Sequence, residues 1–303
     1  YLAPLLVTNP VATLVVPMHV GQFEGYLPVT FANTITISNT HVDANIYNTT
    51  TVIGAFSGGT KGIYKYAPGE LRLMGTNTLG WLFNSGGAGV LSLVSNSVST
   101  VSGNMGGNGG GVIRITDNAQ ATFAGGLFLG ESNGGGGAHV VQDSGSLTFG
   151  TAGLNFRIGH FPNNVSTYTM NGGTLNATAT VISVGWDGTG RLIITNGTVN
   201  ALGIQLDSNG NSTLPDLLSL SGSGVLSLGG SGLFGPAAGG PQTVLFGGGK
   251  VTARGDWTAF NNQNITLTNT SGATTWDTAG YTITADCVLN GVGGLNKAGA
   301  GRL

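Results

Sequence analysis

Asp117, Asp143 and Asn171 stand at the same place in three copies of one repeated phrase, two residues before a shared mark. Stacked on successive coils they would form a vertical line of oxygen ligands. Carboxylates about 5 Å apart either give up one charge or recruit a cation such as Ca²⁺. The plainer chemistry is a corner ladder, since Asp and Asn suit sharp bends by bonding nearby backbone amides. The ladder is the reading adopted. No metal is assigned, and these three residues are the single calcium candidate. Runs such as Gly106-Gly107-Asn108-Gly109-Gly110 lack the acid that calcium-binding nonapeptide repeats carry after alternate glycines.

The other chemistry-bearing residues form no constellation. Asp256 and Asp277 flank Trp257 and Trp276, a pairing that sugar-binding clefts use. Arg114 near Asp117 is the one basic–acidic neighbour pair that suggests carbohydrate cleavage. His19, His41, His139 and His160 have neither His-x-x-x-His nor His-Glu-x-x-His spacing. The chain is also read as lacking a Gly-x-Ser-x-Gly elbow for a serine nucleophile. Cys287 is the only cysteine, which excludes a disulfide framework and a Cys-based zinc site. A buried, inert thiol is expected there. The chain is therefore read as a non-enzyme that needs no cofactor.

What must position these residues is a repeat. A Gly-bearing turn leads into an alternating strand in Gly145-Ser146-Leu147-Thr148-Phe149, in Gly173-Thr174-Leu175-Asn176-Ala177 and in Gly197-Thr198-Val199-Asn200-Ala201. Equivalent marks fall at 97, 119, 145, 173, 197, 224 and 249, so the steps are 22, 26, 28, 24, 27 and 25 residues. Such a period is that of a solenoid coil. Three short alternating segments fit within each period, as at 146–149, 154–158 and 167–170. The predicted fold is an all-β, single-stranded parallel β-helix with three short strands per coil. Gly106–Gly111 and Gly134–Gly137 are expected to be mobile corner loops.

Composition narrows the function. Charged residues are 7% of the chain and the net charge is −2, while 40% of residues are hydrophobic. Disorder requires the opposite balance. Ten basic residues scattered from Lys61 to Arg302 make no stripe, so nucleic acid is not an expected partner. A near-neutral surface favours association. Seven Asn-x-Ser/Thr sites are present, but in a chain rich in Asn and Thr several arise by chance.

Residues 1–65 repeat least, and Pro4, Pro10, Pro17 and Pro28 remove ladder donors there. They are expected to form an N-terminal cap or a docking arm, with a solenoid of roughly nine to ten coils over 66–303. The apolar opening lacks a basic n-region and an unbroken membrane span, so a processed or internal fragment is expected.

The C-terminal third resembles the bacterial autotransporter-associated β-strand repeat. The matching runs are Val244–Trp257, Ala273–Thr284 and Gly291-Val292-Gly293-Gly294-Leu295-Asn296-Lys297-Ala298-Gly299-Ala300-Gly301-Arg302-Leu303, the last similar to that family's Gly-Gly-Leu-x-Lys-x-Gly-x-Gly-x-Leu signature. The likeness is best over 244–303 and looser over 94–243. It implies a right-handed parallel β-helix, export, and a secreted or cell-surface location, and it brings no catalytic residues. Right-handedness also follows the general rule for parallel crossovers.

The expected function is an extracellular structural subunit that assembles with itself into a filament, sheath or surface layer, head to tail or through the N-terminal arm. An adhesin or polysaccharide-binding passenger is the alternative, which aromatic residues exposed on one outer face would favour. A carbohydrate-active enzyme ranks third.

Overall fold

The computed structural model describes residues 22–37, 40–132, 135–150, 155–212, 214–236, 240–259 and 264–303, together with the backbone of short strands at 5–7, 12–14 and 18–20. Every regular element among them is a strand, and every pairing is parallel between one strand and its counterpart a coil later. No helix is long and apolar enough to cross a membrane. The fold is a three-faced parallel β-solenoid; in one coil the first face is Met105–Asn108, the second Val112–Ile115 and the third Gln120–Phe123.

Alternation builds it. Along Val112–Ile115 the isoleucines point in while Arg114 points out, and the same pattern holds along Gln120–Phe123. Stacking then lines up like with like: Leu91 on Ile113 on Val140 on Tyr168, and Val101 on Phe123 on Phe149. The Phe123 and Phe149 rings lie 5.1 Å apart and nearly parallel. Burial of these columns drives folding, with each rung packed against its neighbours.

All seven repeat marks fall in register on the third face. Val98, Gln120, Ser146, Thr174, Thr198, Val225 and Lys250, each the residue after a mark, form one ladder line. Gly145, Gly173, Gly197 and Gly249 turn into that face with φ between 68° and 77°, a left-handed conformation that other residues adopt at a steric cost.

Two expectations change here. The N-terminal boundary at 65 is not marked in the ladder, because Gly62–Tyr66 pairs both with the coil before it and with the coil after it. The strands from Gln22 onward already carry the three-face pattern, and Pro28 sits in a corner rather than in a strand. The glycine run at 106–111 is also not a loose loop. Gly106 and Gly107 are ladder residues of the strand Met105–Asn108, while Gly109 and Gly110 donate backbone hydrogen bonds to Gly136 and Gly137 one coil on. Gly134 lies outside the described residues.

The corner between the first and second faces has a polar interior. Lys65, Asn84, Asn164, Ser166, Asp207 and Asp216 are all buried there. Several satisfy corner carbonyls: Asn84 donates to Gly89 and Val112, Asn164 to Gly130 and Ser132, and Lys65 to Ala67. Buried polar groups persist only with such partners.

Candidate functional site

The first face carries a track of aromatic side chains on its outer surface. Alternation places Asp43, Tyr64, Phe83, Phe128 and Arg157 in one outward column, interrupted at Gly106, with Phe83 covered by its neighbours to 6% exposure. Trp81 lies beside it, and Gly62 makes room: a Cβ on Gly62 would stand 2.4 Å from the indole. Gly106 does the same for Phe83, whose ring a Cβ would meet at 2.6 Å. Tyr64 is the hub, with ring centroids 5.3 Å from His41, 6.0 Å from Trp81, 5.6 Å from Phe83 and 6.2 Å from Tyr66. In earlier coils Tyr26 and Tyr47 form a separate stack 4.6 Å apart and nearly half exposed.

A cavity of about 320 Å³ opens among Tyr64, Trp81, Phe83, Asn104 and Glu131. Burial raises the Glu131 carboxyl to about 7, so it is protonated or ionised according to small changes near neutral pH. Burial, then Glu131 and Asp43, push the Tyr64 phenol up. The Trp81 indole N–H is buried without an acceptor. His41 lies 3.4 Å from Asp43.

Further along the same face a second cluster centres on Arg157. Its guanidinium lies 3.5 Å from the centroid of Trp186 and 5.7 Å from that of Phe128. It donates to Asn155 Oδ1 at 2.8 Å and to His160 Nε2 at 2.7 Å, which requires a neutral imidazole. Burial first, then the Arg157 charge, lower His160 to about 4, in keeping with that role. Beside this cluster is a cavity of about 240 Å³ bordered by Asn155, Thr180, Trp186 and Gln205, and near the C-terminal coils another of about 360 Å³ borders Ser231, Asp256 and Thr258. Aromatic planes, planar polar side chains and a cleared floor thus alternate along one side of the rod.

The residues singled out from sequence fall elsewhere. Asn171 donates to Asp143 at 2.9 Å, and Thr195 donates to Asn171 at 3.1 Å, an exposed corner ladder. Asp117 does not join it. The second-face ladder pairs Ile115 with Gln142, so Thr116 is next in line with Asp143. Its corner has one more residue, Asp117 takes φ +52°, and its carboxylate accepts from Ser95 in the preceding coil. The proposed three-ligand stack does not assemble, and no group of three or more His, Cys, Asp or Glu suited to a metal occurs among the described residues.

Trp257 and Trp276 are core residues, 4% and 0% exposed, and of the two Trp257 borders the cavity of the C-terminal coils. Asp277 instead pairs with Lys250 at 2.7 Å, which lowers its pKa, and Asp256 accepts from the Thr282 amide. Arg114 points outward from its strand and makes no ion pair with Asp117. His139 is lowered by burial, and the side chain of His19 lies outside the described residues. Cys287 packs partly buried against the core, and burial raises its thiol.

Contrary to the expectation, the chain does carry the Gly-x-Ser-x-Gly spacing, at Gly130-Glu131-Ser132-Asn133-Gly134. A nucleophile elbow needs a helix to follow the serine. No helix occurs among the described residues, and Asn133 and Gly134 lie outside them.

Comparison of the chain with protein-family models, with curated proteins and with solved structures found no match.

Proposed function

We propose that this protein is a non-enzymatic, extracellular polysaccharide-binding rod that presents its aromatic face to a glycan chain. The observation that carries this reading is the Tyr64–Trp81–Phe83 cluster over Gly62 and Gly106, with Asn104 and Glu131 at its edge. Sugar rings offer apolar C–H faces that pack on aromatic planes, and hydroxyls that bond to amides and carboxyls. Binding sites of this kind are largely preformed, apolar and edged by a few polar groups. Successive rungs rise about 4.8 Å, close to the advance per residue of an extended polysaccharide. The likeness of 244–303 to repeats of exported surface proteins supports the location. A single carboxyl, Glu131, borders the cavity beside Tyr64, which favours binding over hydrolysis by a carboxylate pair.

The experiment is a binding screen against a broad panel of soluble and insoluble polysaccharides, with release of reducing ends measured in parallel. Retention of the wild type and loss of retention in Trp81→Ala support the proposal. No binding anywhere on the panel rejects it, and glycan cleavage rejects its non-enzymatic part.

Self-assembly into a filament or layer is the second reading. The third face favours it: Thr78, Thr100, Thr122 and Thr148 stand one per rung, followed by Asn176 and Asn200, whose amides bond at 2.9 Å. This flat, uncharged surface is suited to lateral pairing of rods. Electron microscopy of unfixed protein distinguishes lateral or axial arrays from isolated rods.

A further inference from the structure

One loop of the solenoid begins and ends on a buried acid. Asp207 and Asp216 are both fully buried at the polar corner between the first and second faces. Leu206 pairs with Val184, which puts Asp207 one rung beyond Gly185. The Asp216 carboxylate packs against that same glycine, where a Cβ would stand 1.9 Å from its Oδ2. The two acids therefore meet inside one corner.

Among the described residues their partners are backbone amides and, beside Asp216, the Ser212 hydroxyl. Asp207 accepts from Ser212 at 3.3 Å and from Gly240, and Asp216 Oδ1 accepts from Gly190 at 2.7 Å. Asp216 Oδ2 is buried with no donor. The Ser212 hydroxyl beside it gives its proton to the Gly188 carbonyl at 2.9 Å, and the Ser208 hydroxyl is buried without a partner. None of the ion pairs among the described residues includes either acid. A buried carboxylate without a cation, such as Asp216, is disfavoured in its charged form.

We propose that the Asp207–Asp216 corner binds a divalent cation, with Ca²⁺ favoured because every available donor is oxygen. With only two acids, neutral oxygens such as Ser212 Oγ and Ser208 Oγ complete the shell. A cavity of about 310 Å³ bordered by Asp187, Gly188 and Asn211 lies near the corner, though neither acid lines it. The bound ion ties together turns from three successive coils, those of Gly185–Gly190, Asp207–Asp216 and Gly240. Burial raises Asp216 to about 7, so a shared proton is the rival way to neutralise the pair.

The full chain is stripped with EDTA and melted with and without CaCl₂, then titrated with Tb³⁺, whose emission Trp186 sensitises from beside Asp187. Calcium is expected to raise Tm by several degrees, and calcium is expected to displace terbium. Both effects are expected to vanish in Asp216→Asn and to survive in Asp143→Asn. An unmoved Tm together with absent terbium emission in the wild type overturns the proposal. So does an Asp216→Asn protein that melts above a calcium-insensitive wild type, since that result assigns a shared proton. If Asp216→Asn does not fold, the wild-type titrations decide alone.

Discussion

Trp81 on the first face and Trp276 on the third belong to the same repeating architecture, yet one borders an outer cavity and the other is fully buried. Trp276 takes an inward turn of the alternation in Thr274–Asp277, where it contacts Phe246 and Trp257 in the core. Trp81 directly precedes inward Leu82, so the same alternation turns it out, and Gly62 beneath lets the ring lie down. A shift of one residue in a strand separates a core residue from one that borders an outer cavity. In a solenoid, function is therefore written in the outward positions, and chemistry that neighbours an inward aromatic, as Asp277 does, belongs to the framework.

The sharpest way to break this contrast is to truncate both tryptophans. Trp276→Ala is expected to lose about 3–5 kcal/mol, as large core truncations do, with carbohydrate binding per folded molecule unchanged. Chemical denaturation and a binding assay on the same sample check both halves. Trp81→Ala is the mirror case. It should move the denaturation midpoint much less and weaken polysaccharide binding roughly tenfold, the scale of one aromatic contact of about 1.4 kcal/mol.

A subtler difference is electrostatic. Glu131 is raised from 4.5 to about 7 by burial, so between those values the folded chain keeps a proton that the unfolded chain has released. Its contribution to stability is fullest below about 4.5, falls as pH rises, and is gone above about 7. Wild type should thus lose stability relative to Glu131→Gln across that window, read as the difference of their melting temperatures against pH. The smallest effect belongs to the exposed corner ladder. Asp143→Asn leaves Asn171 a partner and should stay within about 0.5 kcal/mol of wild type, with no change in binding. A larger loss would show that the ladder does more than fill a corner.

How far the sequence can be read depends on which regularity is used. The Gly-turn marks at 97 through 249 translate directly into the third-face register, because the turn and the strand that follows it are local in the chain. The same marks misplace Asp117, because a single extra corner residue shifts everything counted backward from the strand. Upstream of Ser97 the phrase fades, and the reading stops there. Tyr64 and Phe83 nevertheless stand one coil apart in the same column, and outward aromatics at a coil's spacing were the available signal for the candidate site.

Alternation, glycine turns and a period near one coil were enough by themselves to determine a parallel solenoid and the direction in which each strand residue points, since these follow from backbone geometry. Tertiary structure alone decided which coils come into register, and so which distant residues touch. It placed Trp81 over Gly62, set Glu131 beside Tyr64 deeply enough to hold a proton near neutral pH, and brought Asp207 and Asp216 together beneath Gly185. The physical reason is that coil length varies from corner to corner, and only the stacking of buried columns selects the register.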